Sequence, residues 1–330
     1  MTTLITGAGL VGSLAARKLV DMGETPVLYE ISPQLANIGS NVGLDRVKLI
    51  RGDVLDLPEL LRTIKSERVD RIIHTANLLT AAVRERPYTG VKINLLGTMN
   101  VLEAARLMGI QRVVFCSSST VQMGTYWQPS SVPYVEDFPM TAVGGRPRGV
   151  YAILKLACEW TGLEYQERYG VDFVATRFAG VFGPWKGVPG GLPTRMMKEL
   201  IEKPLAGENV CITDPTLTWS GLEELVYAKD AASSVVLASR ASNPTSRIYN
   251  VTMGRAYTFD QMLGAIRKTF PGVAIEVSNI NPGASGGYPF KREQPTDISR
   301  TRAELGYEPE FDTIEKAIAD YAEWIRVNGS

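Results

Sequence analysis

Histidine and cysteine are the scarce residues of this chain. One histidine, His74, stands among 330 residues. A multi-histidine metal site is therefore excluded, and Ser-His-Asp chemistry is disfavoured. The three cysteines, Cys116, Cys158 and Cys211, are far apart in sequence. They show neither metal-ligand spacing nor a disulfide framework, which points to a reducing compartment. Net charge is missing as well, since Lys+Arg and Asp+Glu both number 35. No overall field draws the chain to nucleic acid or to a membrane surface. No apolar run reaches the length of a membrane span, and Met1-Thr2-Thr3 leads straight into a strand pattern without room for a signal peptide. The expectation is a cytoplasmic protein that binds a small molecule.

What is present is the composition of an ordinary globular protein, 45% hydrophobic and 21% charged. The first half alternates short apolar runs with helical periodicity, as βαβ units with a parallel sheet do. Strands are expected at Thr3–Thr6, Pro26–Glu30, Val47–Ile50, Arg71–Thr75, Arg112–Ser117 and Asp172–Arg177. Helices are expected at Val11–Met22, Ile93–Met108 and Val150–Tyr169. The pattern predicts an α/β fold, a Rossmann-type doubly wound parallel sheet of six or more strands. After Phe182 the pattern loosens. Helices are expected near Thr194–Glu202, Glu223–Ser239, Phe259–Lys268 and Thr313–Val327, with a short strand at Ile248–Val251. This division predicts a cofactor-binding domain over residues 1–182, with strands and helices returning to it from the C-terminal half, and a smaller mixed α/β lobe, mainly substrate-binding, over residues 183–330.

The turn Thr6-Gly7-Ala8-Gly9-Leu10-Val11-Gly12 joins the first strand to the first helix. Its glycines have the spacing G-x-G-x-x-G. Gly7 permits the tight turn, Gly9 lets the backbone approach a pyrophosphate, and Gly12 lets helix pack on strand. Phosphate would then meet free N–H groups at the positive end of the helix dipole. Glu30 ends the second strand, where a carboxylate accepts hydrogen bonds from both ribose hydroxyls and repels a 2′-phosphate. The expected cofactor is NAD. Asp53, in Gly52-Asp53-Val54 after the third strand, is either a contact to the adenine amine or an ordinary turn aspartate.

Tyr151 and Lys155 form Tyr-Ala-Ile-Leu-Lys near the start of a helix, a spacing that puts both on one face. A lysine ammonium there favours the phenolate and lowers the tyrosine pKa from about 10. Such a tyrosine can take a hydroxyl proton while hydride leaves to the cofactor. A buried strand also runs into Ser117-Ser118-Ser119-Thr120 at its carboxyl end, and these hydroxyls either hold a substrate oxygen beside Tyr151 or form an ordinary serine-rich turn.

With these features the chain resembles the extended short-chain dehydrogenase/reductase family, the group that includes UDP-galactose 4-epimerase and sugar dehydratases. The resemblance runs through the glycine turn, Ile73-His74-Thr75-Ala76, Asn94-Leu95-Leu96-Gly97-Thr98 and the serine strand. It continues through Tyr151/Lys155, Arg177 with Val181-Phe182-Gly183-Pro184, and Val226-Tyr227-Ala228-Lys229-Asp230. It implies Tyr151 as acid/base and Lys155 as its tuner and nicotinamide-ribose ligand. It also implies Ser118 as substrate-hydroxyl partner, with Ser119 or Thr120 as the fallback, and Asn94 as part of a proton relay. Cofactor contacts are implied from Gly7, Gly9, Leu10, Val11, Gly12, Glu30, Asp53, Val54, Ala76 and Ser117. His74 is either a cofactor-positioning residue or a hydrogen-bonded core histidine. A homodimer through the helices Ile93–Met108 and Val150–Tyr169 is implied too.

The chain departs from that family at three places. Its glycine turn is one residue shorter than T-G-x-x-G-x-x-G. Ser119-Thr120 replace the Asp-Glu pair of 4,6-dehydratases, which removes the acid and base needed to expel water. Glu223 and Glu224 occupy the stretch where nucleotide-sugar enzymes carry an arginine, and acidic residues repel a diphosphate. Arg146, Arg148, Arg195 and Arg292 are either anion ligands or exposed loop residues, with Arg148 and Arg195 the candidates for substrate. The expected activity is NAD-dependent oxidation at a secondary hydroxyl of a small polyhydroxylated or hydroxy-acid substrate, by a dehydrogenase or an epimerase. The alternatives are a nucleotide-sugar 4-epimerase and an NAD-binding regulatory protein without catalysis.

Overall fold

The computed structural model describes residues 1–122, 130–138, 149–214, 217–242, 244–278 and 292–329. Among them the strands are β1 (Thr2–Thr6), β2 (Val27–Glu30), β3 (Lys48–Arg51), β4 (Val69–His74), β5 (Arg112–Ser118), β6 (Phe173–Phe178), β7 (Gly180–Phe182), β8 (Val210–Ile212), β9 (Glu223–Tyr227), β10 (Ile248–Val251), β11 (Ala256–Tyr257) and β12 (Ile275–Val277). Seven of them form one parallel sheet in the order β10-β6-β5-β4-β1-β2-β3. β6 and the first six residues of β5 are buried, so they read as apolar runs rather than as alternating patterns.

The chain steps outward from β1 to β2 and β3, then returns to β4 on the other side of β1. That reversal opens a crevice at the carboxyl ends of β1 and β4, where ligands of doubly wound sheets bind. One face of the sheet is covered by the helices Leu10–Asp21 and Ala228–Arg240, whose Leu14, Leu19, Ala231 and Val235 share a core with Ile5 and Val114. The other face is covered by Leu57–Glu67, Gly97–Met108 and Val150–Tyr169, through Leu60, Leu102 and Cys158. A separate core gathers Met197, Ile201, Met262, Ile266, Ile318 and Tyr321 from the later helices. No helix among the described residues is long and apolar enough to cross a membrane.

The six early strands appear within two residues of their expected ends, and Ile248–Val251 joins the same sheet as its seventh strand. Two expectations differ. Residues 223–239 do not form one helix, because Glu223–Tyr227 is a strand between β11 and β7, and the helix begins at Ala228. Strand pairing overrides the weak β-propensity of two glutamates. The expected helix Ile93–Met108 is entered through a π-helical turn, Val91–Leu96, before regular helix over Gly97–Met108.

Candidate active site

Gly7 has φ +88°, and a Cβ on it would stand 2.6 Å from the backbone nitrogen of Ala76. A Cβ on Gly12 would run into the carbonyl of Gly7. These two glycines are therefore required by the protein's own backbone. Gly9 differs: a Cβ there would meet nothing within 4 Å, so its freedom serves the space outside, beside a helix N-terminus with no side-chain cap. Thr75 Oγ1 ties the turn to β4 by donating toward Thr6 O and Gly7 O, at 2.9 and 2.8 Å. Glu30 accepts from the N–H of Ala8 at 2.9 Å and from that of Ser32 at 3.0 Å. An uncapped glycine turn with open space at Gly9 and a carboxylate at the end of β2 fits a dinucleotide with unphosphorylated ribose.

A cavity of about 780 Å³ runs from this turn across the carboxyl ends of the strands. Gly7, Gly9, Leu10, Val11, Gly12, Glu30, Ala76, Ser117, Ser118, Ser119, Tyr151, Lys155 and Arg195 all line it. The structure thus brings together most of the residues singled out from the sequence. Asp53, Val54, His74, Asn94 and Arg292 do not line it. Arg146 and Arg148 lie outside the described residues.

Tyr151 and Lys155 sit one turn apart on the helix Val150–Tyr169, both buried. Lys155 Nζ donates to the Cys116 carbonyl at 2.5 Å and lies 5.7 Å from the Tyr151 ring centroid. Burial pulls the Lys155 pKa below the ordinary lysine value, while Cys158, Cys116 and Glu159 pull the other way. Ser118 is partly exposed to the cavity, and its Oγ accepts from the N–H and hydroxyl of Thr120 at 3.3 and 3.0 Å. Ser117 points elsewhere: its hydroxyl donates to Glu159 at 2.5 Å. Glu159 is in turn gripped by Arg177 through two bonds of 2.9 and 2.7 Å, a pair almost wholly buried. This buried network fixes the helix carrying Tyr151 against the serine strand. Sequence reading had matched Arg177 only as a family feature and missed Glu159, whose signal is its position one turn beyond Lys155.

The residues outside the cavity have local work. His74 is the hydrogen-bonded core histidine: its Nδ1 is 2.6 Å from Thr6 Oγ1 and its Nε2 3.0 Å from Thr98 Oγ1. Burial, reinforced by the Lys155 charge, pushes its pKa down to about 3. Asn94 spends its side chain on Leu78, accepting from its N–H at 2.7 Å and donating to its carbonyl at 2.9 Å. Asp53 accepts from the N–H of Leu55 at 2.9 Å, closing a turn, and Val54 is core.

The expected pair of acidic residues divides. Glu224 is buried and holds Arg292 in an ion pair, and it also accepts from the N–H of Thr296 at 3.0 Å. Arg292 is thereby committed to structure. Glu223 lines the cavity instead. Arg195 also lines it, exposed, and pairs with Asp214 at 3.5 Å. Arg84, on the short helix Thr80–Glu85, is a further cavity-lining cation that sequence reading missed. A six-residue helix offers too little periodicity to be seen beforehand.

The model of the NAD dependent epimerase/dehydratase family matches residues 3–252. The chain belongs to that family. It is an NAD-dependent enzyme of the epimerase/dehydratase type, and NAD is its cofactor. A UDP-glucose 4-epimerase of Lacticaseibacillus casei is 26% identical over 97% of this chain and 95% of its own. The Thermus thermophilus UDP-glucose 4-epimerase, solved in complex with NAD, is 25% identical with a TM-score of 0.78 over 99% of both chains. The L-threonine dehydrogenase of Clostridium difficile shares the fold at a TM-score of 0.81, covering 99% of this chain and 98% of its own, with 22% identity. Folds of one kind thus serve both a nucleotide-sugar enzyme and an amino-acid dehydrogenase, and substrate has to be argued from the cavity.

Proposed function

We propose that this protein oxidises a secondary hydroxyl of a small, non-nucleotide substrate, a polyhydroxylated compound or a hydroxy acid, with Tyr151 as the proton acceptor. The observation that carries this reading is the meeting of Tyr151, Lys155 and Ser118 on one cavity wall beside the glycine turn. Ser118 would hold the substrate oxygen and Tyr151 would remove its proton. Lys155, held by the Cys116 carbonyl under the Tyr151 ring, would favour the phenolate by its charge. When bound, NAD supplies the hydride acceptor. The glycine turn and the N-terminus of the helix Leu10–Asp21 would take the pyrophosphate, with the ribose hydroxyls on Glu30. Leu10, Val11, Ala76 and Ser117 would complete the cofactor wall.

Two features support a small substrate. Glu223 lines the cavity in the stretch where a diphosphate clamp would need a cation, and Arg292 is engaged by Glu224. Arg84 and Arg195 remain as candidate ligands for a single carboxylate. A nucleotide-sugar 4-epimerase is the second reading, favoured by the full-length match to the Lacticaseibacillus casei enzyme.

The separate core formed by the later helices supports a second lobe after residue 182, from which the helix Ala228–Arg240 and strand β10 return to the cofactor domain. Exposed Leu96, Met99, Leu107, Ile153 and Trp160 on the helices flanking Tyr151 support a homodimer through that face. Buried free Cys116 and Cys158 suit the cytoplasm.

The test is absorbance at the NADH band with a panel of polyols and hydroxy acids, alongside UDP-glucose isomerisation. Steady NADH appearance with a small alcohol supports the dehydrogenase reading. Isomerisation of UDP-glucose without net NADH overturns it in favour of the epimerase.

A further inference from the structure

Glu223 is the first residue of β9 and lines the same cavity as Tyr151 and Ser118. In register it faces Tyr257 of β11, and Leu225 two residues on pairs with Gly180, directly after the active-site strand β6. The strands close tightly here, since a Cβ on Gly180 would lie 2.9 Å from Leu225 and 3.0 Å from Pro193. The carboxylate is also fixed, because one of its oxygens accepts from the N–H of Glu224 at 3.0 Å. Its neighbours along the cavity, Leu217, Trp219 and Leu225, are buried and largely apolar.

Among the described residues no lysine or arginine forms an ion pair with Glu223. Arg292 acts on it from a distance but is bound to Glu224, and burial wins, pushing the Glu223 pKa above the ordinary glutamate value. A half-buried carboxylate beside an apolar wall is costly without a partner. A cation arriving with the ligand offsets that cost through a charge-assisted bond, which is stronger than one from a neutral hydroxyl. A phosphate arriving at the same place meets like charge in a poorly screened setting.

We infer that Glu223 is a specificity-determining residue that selects substrates carrying a protonated amine and rejects phosphorylated ones. With Arg84 on the same cavity, the favoured class is a hydroxy compound bearing an amine, and with a carboxylate besides, a hydroxy amino acid. This inference rests on the reading that Tyr151 and Ser118 hold a small secondary alcohol.

The test is calorimetric binding to the NAD-loaded full chain. The probes are 1-amino-2-propanol against 1,2-propanediol, 3-hydroxy-2-aminobutanoate against 3-hydroxybutanoate, and UDP-glucose. Each amine is expected to bind about tenfold or more tightly than its amine-free partner. Glu223→Gln should bring each pair to within about threefold, and Glu223→Asp should retain the preference, with NAD affinity unchanged in both. The inference is overturned if neither amine binds, if UDP-glucose or the amine-free partners bind as well, or if the preference survives in Glu223→Gln. NADH formed from amine-free alcohols with equal ease would sink the role of Glu223 and leave the redox reading standing. Amine binding lost in Glu223→Gln, with no alcohol oxidised, would do the reverse.

Discussion

The carboxylate of Glu30 accepts a hydrogen bond from the N–H of Ala8, inside the glycine turn and 22 residues earlier in the chain. One side chain at the end of β2 therefore both braces the phosphate loop and stands where the adenosine ribose is expected. Glu30→Ala is predicted to weaken NAD binding by about 1.5–3 kcal/mol, roughly 10- to 150-fold in Kd, the range for hydrogen bonds to a charged group. Affinity for NADP should fall much less, since its 2′-phosphate no longer meets a carboxylate. Titration of both dinucleotides by calorimetry checks this, and an unchanged NAD/NADP ratio would contradict the assignment.

Gly9 and Gly12 of the turn should separate under substitution. Gly12→Ala places a methyl against the Gly7 carbonyl and is expected to lower the unfolding temperature. Gly9→Ala meets no protein atom, so stability should hold while NAD affinity drops. Paired thermal melts and NAD titrations distinguish the two effects. Equal losses of stability in both variants would mean that Gly9 serves packing rather than cofactor approach.

His74 makes a prediction about acid. Its folded pKa, about 3, lies below the ordinary value of 6.5, so between these pH values the unfolded chain binds the extra proton. Its contribution is fully present above pH 6.5 and is lost as pH falls toward 3, with a limiting slope of about 1.4 kcal/mol per pH unit. Urea midpoints measured across this range should decline in the wild type. His74→Gln is expected to be less stable at neutral pH yet flatter between pH 6 and 4. A parallel decline in the variant would assign the acid sensitivity elsewhere.

The glycine turn and the Tyr151/Lys155 pair of the candidate site were legible because their signals are local. A turn seven residues long and an i,i+4 pair carry their geometry in the sequence. The rest depends on partners far along the chain. Glu223 and Glu224 look alike as neighbours, but strand alternation sends one to Arg292 and the other to the cavity. His74 and Asn94 matched family positions, while only the fold reveals that Thr6, Thr98 and Leu78 occupy their polar atoms. Arg84 was missed because its helix is only six residues long.

Trp160 is 64% exposed on the helix that carries Tyr151. If that face joins two protomers, Trp160→Asp should convert the dimer to a monomer on light-scattering chromatography, because a charge would be buried without a partner. An unchanged mass for the variant, or a monomeric wild type, would contradict the proposed interface.

The most direct test of the central claim is Tyr151→Phe, which removes the phenolic oxygen and leaves the ring beside Lys155. The measurement is NAD affinity and the rate of NADH formation on the best alcohol of the panel. NAD should bind within about threefold of wild type while turnover falls about 100-fold or more, the scale of lost general acid–base catalysis. Turnover near the wild-type rate would show that another group takes the proton.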